Sequence, residues 1–573
     1  MLSLKRWMYV AFMVVVVSSI FMIYSVNQER TKNIQIKNTH INEKPVTKEQ
    51  LADMQTVDDV GIPSVRIFGD DEKALYRDIY QNVQQIFRNM HFRVTCGSES
   101  DSALNIEELV VFCDESVGKY VDLVQLGEFI ADGGKVIFAA GLPEGNEESY
   151  LWSILGIREK SVRENKTHLR FEKPLFPVQA KEMVYDGYSA STWLSLRKEA
   201  EVYIRDADKG VPIMHTMEYE AGKSCLINGT FLADMRCSGL LTGAVGTLWE
   251  NFIYPVMGTK TVFLDDFPTV TYVNDKLSMQ LYGCSTETFV RDVVWRDFLG
   301  MSLRTDTPYT AGILTAAASD DSFPAAYGSL LASIGKSIMQ YGGELVYETN
   351  YEKEDRVAVN HALLEAFSET FPAYQINGMA VLSEHFSEEM LHLSEHDRVR
   401  VVRGKLGWEN AGFSDAGTTD YTMFPAATFG NQMEDGNLFA LYSVLASYGM
   451  VSHVFDINQM IPRDEETASW EQDRRQLGIF EQKVLKQLSW LDKATLSETE
   501  EPLRSYLKLM YGWRTAGDTI FLDCSNMMQG QSFFFRTDDR IKSVEGLTYE
   551  EIGNGYYLLR VQQNNAVITM EEV

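Results

Sequence analysis

From about Ser64 onward, short apolar runs alternate with amphipathic stretches. Ser64–Gly69, Leu109–Cys113 and Gly134–Ala140 have the length and continuity of buried strands. Between them, Asp71–Met90 places Leu75, Ile79, Val83 and Ile86 on one helical face, and Tyr120–Asp132 is a second amphipathic helix. This alternation predicts a parallel sheet with flanking helices, ending near the strand-like Ser224–Asn228. Further along, Thr261–Leu264 suits a buried strand and Val399–Arg403 reads as a later one. Near the end, Trp470–Asp492 carries Leu477, Phe480, Val484 and Leu488 in helical step. Asp518–Asp523, Gln531–Arg536, Tyr556–Val561 and Ala566–Thr569 then predict a small β-sandwich.

The N-terminus differs from everything after it. Trp7–Val26 is an apolar run of about 20 residues, the length of a membrane-crossing helix, preceded by Lys5 and Arg6. The basic pair predicts a cytoplasmic N-terminus and a body outside the cytoplasm. The run is long for a cleaved signal peptide, and no small-x-small cleavage site follows it. The expected order is an anchor (1–26), a polar stalk (27–58), an α/β domain (59–245), a second α/β unit (246–465) and a helix with a β domain (466–573).

Composition narrows the choice of partner. A formal net charge of −29 argues against nucleic acid and anionic membrane surfaces. The six cysteines form no C-x-x-C pair and no zinc-finger spacing with histidine, so scattered core thiols are expected, with one or two bridges left open. The first α/β domain resembles flavodoxin-like or amidotransferase-like domains in its pattern alone. It has no Gly-x-Gly-x-x-Gly at a helix start and no Cys–His pair at a nucleophile elbow, so it is read as a binding or structural module.

The chemistry concentrates at Thr261–Val270. An apolar strand ends there in Asp265 and Asp266, followed by Pro268. Paired carboxylates at a strand end suit metal-assisted hydrolysis, one ligating and the other taking a proton from water; the alternative is two aspartates capping a turn. Phe-Leu-Asp-Asp-Phe-Pro, in order with the segments that follow it, resembles the polysaccharide deacetylases (NodB-type, carbohydrate esterase family 4). More narrowly, it is similar to a bacterial membrane-anchored family of unassigned function related to Pel-type exopolysaccharide deacetylase domains. The resemblance covers about Thr261–Ile461: it implies a helix over Phe289–Trp295, the next strand and its loop over Arg304–Thr310, the metal-binding segment at Gly342–Glu352 and a late strand at Tyr448–Phe455. It implies a deacetylase-like (β/α) barrel with Asp265 as general base, Asp266 as metal ligand and His453 as the acid that protonates the leaving amine.

One departure divides the functional reading. Where the resemblance calls for two metal-binding histidines, Glu348 and Glu352 stand in this sequence. An Asp–Glu–Glu set of hard oxygens favours Mn²⁺, Mg²⁺ or Ca²⁺ over zinc. Two outcomes follow. In the favoured one, the barrel has lost catalysis, needs no metal and binds polysaccharide within an exopolysaccharide synthesis or export complex. In the other, it is an active deacetylase of an N-acetylated polysaccharide using Mn, Mg or Zn. His392 and His396, four residues apart, form a rival metal pair or a solvated helix face. The stretch from Leu406 to Phe424 offers Trp408, Asp420 and Tyr421 as a sugar-binding wall or as loop anchors.

Overall fold

The computed structural model describes residues 62–69, 73–97, 104–106, 108–143, 150–268, 270, 272–316, 327–349, 361–382, 398–406, 421–433, 436–463 and 470–571. The expected anchor, Trp7–Val26, and the stalk lie outside these residues. Among the described residues, no helix is long and apolar enough to cross a membrane. All six cysteines are unpaired.

The first sheet has nine strands. Five of them are parallel, in the order Arg93–Cys96, Ser64–Phe68, Leu109–Phe112, Lys135–Phe138 and Gly222–Ile227. Leu109–Phe112 is buried throughout, as expected of a strand covered on both faces. The helix Ala74–Asn89 buries Ile79, Val83 and Ile86. Leu75 falls in its first turn and is exposed, while Tyr76 takes the inward place. The next helix starts at Leu123 because the Asp122 carboxylate caps it, accepting from the N–H groups of Val124 and Gln125. Four antiparallel strands extend the sheet beyond Gly222–Ile227, and Ile157–Asn165 with Ala190–Leu196 forms a separate two-stranded antiparallel sheet. Ile157–Asn165 is largely exposed, Pro212–Tyr219 is mostly buried, and the sequence reading assigned neither as a strand.

The central unit is a nearly closed parallel barrel. Its strands run Thr259–Asp265, Thr310–Ala316, Glu344–Thr349, Gly378–Val381, Val401–Lys405, Thr422–Ala426, Thr428–Phe429 and Met450–Asp456. Thr422–Ala426 pairs with Val401–Lys405, and Thr428–Phe429 pairs with Met450–Asp456, which in turn lies beside Thr259–Asp265. The strand expected at Arg304 begins instead at Thr310. The helix Trp295–Thr305 runs through Arg304 and ends at Asp306, which has a left-handed backbone conformation.

The C-terminal sandwich joins two four-stranded antiparallel sheets. One of its strands is Phe252–Pro255, which precedes the barrel in sequence yet pairs with Gln531–Arg536. The units share buried surface. The helices Ser238–Leu248 and Gly436–Tyr448 pack so closely that a Cβ on Gly239 would stand 2.4 Å from the Ser443 carbonyl oxygen.

Candidate functional site

The site is built at the C-terminal ends of the barrel strands. Thr259–Asp265 is buried along its whole length and runs beside Met450–Asp456, with Asp265 level with Asp456. Phe263 and Asp265 lie on the inner face by strand alternation. Arg403 meets both: its guanidinium carbon is 5.2 Å from the Phe263 ring centre. It donates to Asp265 through Nη1 at 2.6 Å and Nη2 at 3.0 Å. The two residues are buried, so the pair is fixed in orientation by two parallel bonds.

The next residue turns the chain. Asp266 has φ 54°, a left-handed conformation that aspartate tolerates better than most residues. This turn aims its backbone N–H at Glu348, 3.1 Å from Oε1 and 2.9 Å from Oε2. Glu348 is wholly buried and lies over Gly312, where a Cβ would come within 1.7 Å of its Oε2. Gly312 is therefore the space that lets Glu348 enter the barrel.

Electrostatics follow from this crowding. Burial, with Asp266 and Asp265 close by, drives the Glu348 carboxyl well above the usual range. Burial, Asp456 and Asp265 push Asp266 up to about 7, opposed by hydrogen bonds from Asn458 and Glu348. Burial also raises Asp456, against hydrogen bonds from Gln459. Like charges this close in a dry site cannot all ionise, so the cluster holds either shared protons or a cation.

Three of the expected residues, Asp265, Asp266 and Glu348, therefore meet. The others do not join them. Glu352, Trp408 and Asp420 lie outside the described residues, as do His392 and His396. His453 pairs in register with Val262 rather than Phe263 and so takes the outer face. Its ring packs against Phe455 and Phe480, with ring centres 4.5 and 5.0 Å away. Nδ1 lies 2.7 Å from the Thr428 hydroxyl, and Nε2 donates to the Gly430 carbonyl at 3.0 Å. Burial lowers its pKa to about 3, so it stands as a neutral, bonded wall residue rather than an acid at the mouth. Tyr421 is likewise displaced from the expected wall. It precedes the strand Thr422–Ala426, at the end opposite Asp265, and is buried with Met379, Val399, Val402 and Met423.

Sequence reasoning missed Arg403, Asp456, Asn458 and Gly312. Arg403 did carry a signal: a cation within the apolar run Val399–Arg403 needs a buried partner. Asp456 follows the last motif residue directly, at the same strand end as Asp265. Among the described residues, no group of three or more His, Cys, Asp or Glu side chains is arranged to hold a metal ion.

Comparison with known proteins sets this geometry in context. The family described as "Uncharacterised protein conserved in bacteria (DUF2194)" matches residues 51–347, more than half the chain. No curated protein matches the sequence. Among solved structures, the chain is similar in fold to Agd3, described as a novel carbohydrate deacetylase. That match has 10% identity and a TM-score of 0.50, over 89% of this chain and 99% of the other. A β-galactosidase from Bacillus circulans sp. alkalophilus matches at 13% identity and a TM-score of 0.25, over 33% and 31% of the two chains. The first of these supports a deacetylase-like fold; the second is too distant to bear on the argument.

Proposed function

The chain belongs to this family of uncharacterised bacterial proteins, and we propose that it modifies carbohydrate, with the barrel mouth as a deacetylase-like hydrolytic centre. The observation that carries this reading is the convergence of Asp265, Asp266, Glu348 and Asp456 at the strand ends, with Arg403 orienting the first. Four buried or half-buried carboxyls in one place cost stability, which points to a function that needs them.

The donor set fits a hard divalent cation such as Mn²⁺ or Mg²⁺ better than zinc. Asp266 and Glu348 offer only carboxylate oxygens, and their crowding is what a bound cation relieves. Glu352 is the candidate third ligand. When bound, such an ion supplies carbonyl polarisation and a more acidic water. Asp265, held in line by Arg403, is placed to take the proton from the attacking water. Asp456 stands beside it, level along the strands and with a raised pKa, and takes the proton-donor role that the resemblance implied for His453. The substrate is an N-acetylated polysaccharide, reached outside the cytoplasm by a body anchored through Trp7–Val26.

A second reading has its own support. Both oxygens of Glu348 already accept from the Asp266 N–H, and only two expected ligands meet among the described residues. On that reading the barrel binds glycan and hydrolyses nothing. Calorimetric titration of Mn²⁺, Mg²⁺ and Zn²⁺ into the full-length protein, with acetate release measured alongside, separates the two. Micromolar Mn²⁺ or Mg²⁺ binding that disappears in Asp266→Ala, with acetate release lost in Asp265→Asn, is expected. Glycan binding without acetate release at any metal would establish the second reading.

A further inference from the structure

We propose that the two-stranded sheet of Ile157–Asn165 and Ala190–Leu196 carries a second carbohydrate subsite, for an uncharged sugar ring of the same polysaccharide. The subsite is a cavity of about 260 Å³ lined by Val162, Glu164, Lys166, Ser191 and Trp193. It rests on the carbohydrate reading of the barrel and extends it to a place far from the barrel in sequence.

The chemistry of the lining defines the ligand. Trp193 is 38% exposed on Ala190–Leu196, where the pairing with Ile157–Asn165 shifts register between Lys160 and Arg163. An exposed indole offers an apolar plane with a polar edge, the surface on which the C–H face of a pyranose packs. Polar groups stand beside it. Lys166 is buried, donates to Glu164 at 3.0 Å and lies 3.5 Å from the buried Asp206. An ammonium has three N–H donors, and these two partners leave one for a sugar hydroxyl. The Ser191 hydroxyl has no hydrogen-bond partner among the described residues. Lys209 pairs with Glu164 at 2.6 Å on the outer side. Two cations and two carboxylates balance, so a polyanion gains nothing here, while hydroxyl and acetamido groups find both donors and acceptors.

The position links this cavity to the barrel. The connection from Glu182–Val184 to Ala190–Leu196 rests on the start of the helix Gly436–Tyr448, where a Cβ on Gly436 would meet Asp186 Cγ at 2.6 Å. Just before that helix, Asn431 donates to the Asp456 carbonyl at 2.9 Å. Tyr188, 69% exposed, lies on the same connection as Asp186. The segment leading into Ala190–Leu196 therefore packs against the stretch of chain that also touches Asp456.

The test uses the full-length protein on immobilised oligosaccharides: neutral, N-acetylated, de-N-acetylated and sulfated. Neutral and N-acetylated glycans are expected to bind, with Trp193→Ala weakening them about ten-fold and Trp193→Phe restoring most of the loss. Cation binding at the barrel is expected to be unchanged in both variants, which also shows that they fold. Glycan binding indifferent to Trp193→Ala, binding only of sulfated glycans, or no glycan binding overturns the subsite. If cation binding and acetate release persist in those cases, the barrel reading stands without it. If Trp193-dependent binding appears without acetate release, the subsite stands and the hydrolytic reading falls.

Discussion

Arg403 and Asp265, 138 residues apart in sequence, close a two-pronged ion pair inside the barrel at 2.6 and 3.0 Å. Neither side chain has water to fall back on, since Arg403 is fully buried and Asp265 nearly so. Removing one partner strands the other charge, which typically costs about 3–5 kcal/mol. Arg403→Ala is therefore expected to destabilise the barrel by that amount in denaturant unfolding. Arg403→Lys should recover only part of it, because a single ammonium cannot span both carboxylate oxygens. A loss under about 1 kcal/mol for Arg403→Ala would mean that the pair does not hold the strands together.

Gly312 makes a separate prediction. Its Cα faces the Glu348 carboxyl so closely that any side chain must displace it. In Gly312→Ala, Glu348 swings away and its bond with the Asp266 N–H is lost. The expected cost is about 1–3 kcal/mol in stability, together with at least a ten-fold loss of Mn²⁺ or Mg²⁺ affinity by calorimetry. Unchanged affinity would show that Glu348 is not a ligand.

How far the sequence reveals this structure depends on which signal each part uses. Apolar runs are legible: Leu109–Phe112 and Tyr556–Val561 fall within two residues of their expected places, and the resemblance places Met450–Asp456 as closely. The Asp265–Asp266 pair was legible because two charges at the end of an apolar strand break its pattern. The orientation of His453 was not. A one-residue shift along a strand exchanges inner and outer faces, and resemblance alone placed this ring inside. The join of Phe252–Pro255 to the C-terminal sheet was equally hidden, since pairing between strands nearly 300 residues apart leaves no local trace. Arg403 lay inside a recognised strand, but its partner emerges only when the barrel closes.

His453 should behave as a structural residue. With both ring nitrogens bonded and a folded pKa of about 3, it resists protonation that the unfolded chain accepts near 6.5. Between those values the unfolded state binds more protons, so stability falls as the pH is lowered from about 6.5 towards 3. His453→Gln keeps one donor and one acceptor and removes the titration. The variant is expected to flatten this acid limb while leaving acetate release within about two-fold. Loss of a true general acid would cost about 10²–10⁴-fold, and a drop of that size would return His453 to the chemistry.

Glu344 titrates in the opposite sense. It sits at the start of Glu344–Thr349, at the barrel end away from the carboxyl cluster, fully buried beneath Thr310 and Ser497. Burial raises its pKa to about 7, against hydrogen bonds donated by Ser497 and Thr495. The unfolded value is 4.5. Between 4.5 and 7 the folded state holds the proton and the unfolded state does not, so stability is full below that window and is lost as the pH rises through it. The slope is about 1.4 kcal/mol per pH unit for one group. Glu344→Gln keeps an oxygen for the Ser497 N–H and carries no charge. The variant should match the wild-type protein at pH 5 and be more stable by about 2–3 kcal/mol at pH 8, measured by denaturant unfolding at both values. Equal stability at pH 8 would mean that Glu344 ionises in place, with water reaching the foot of the barrel.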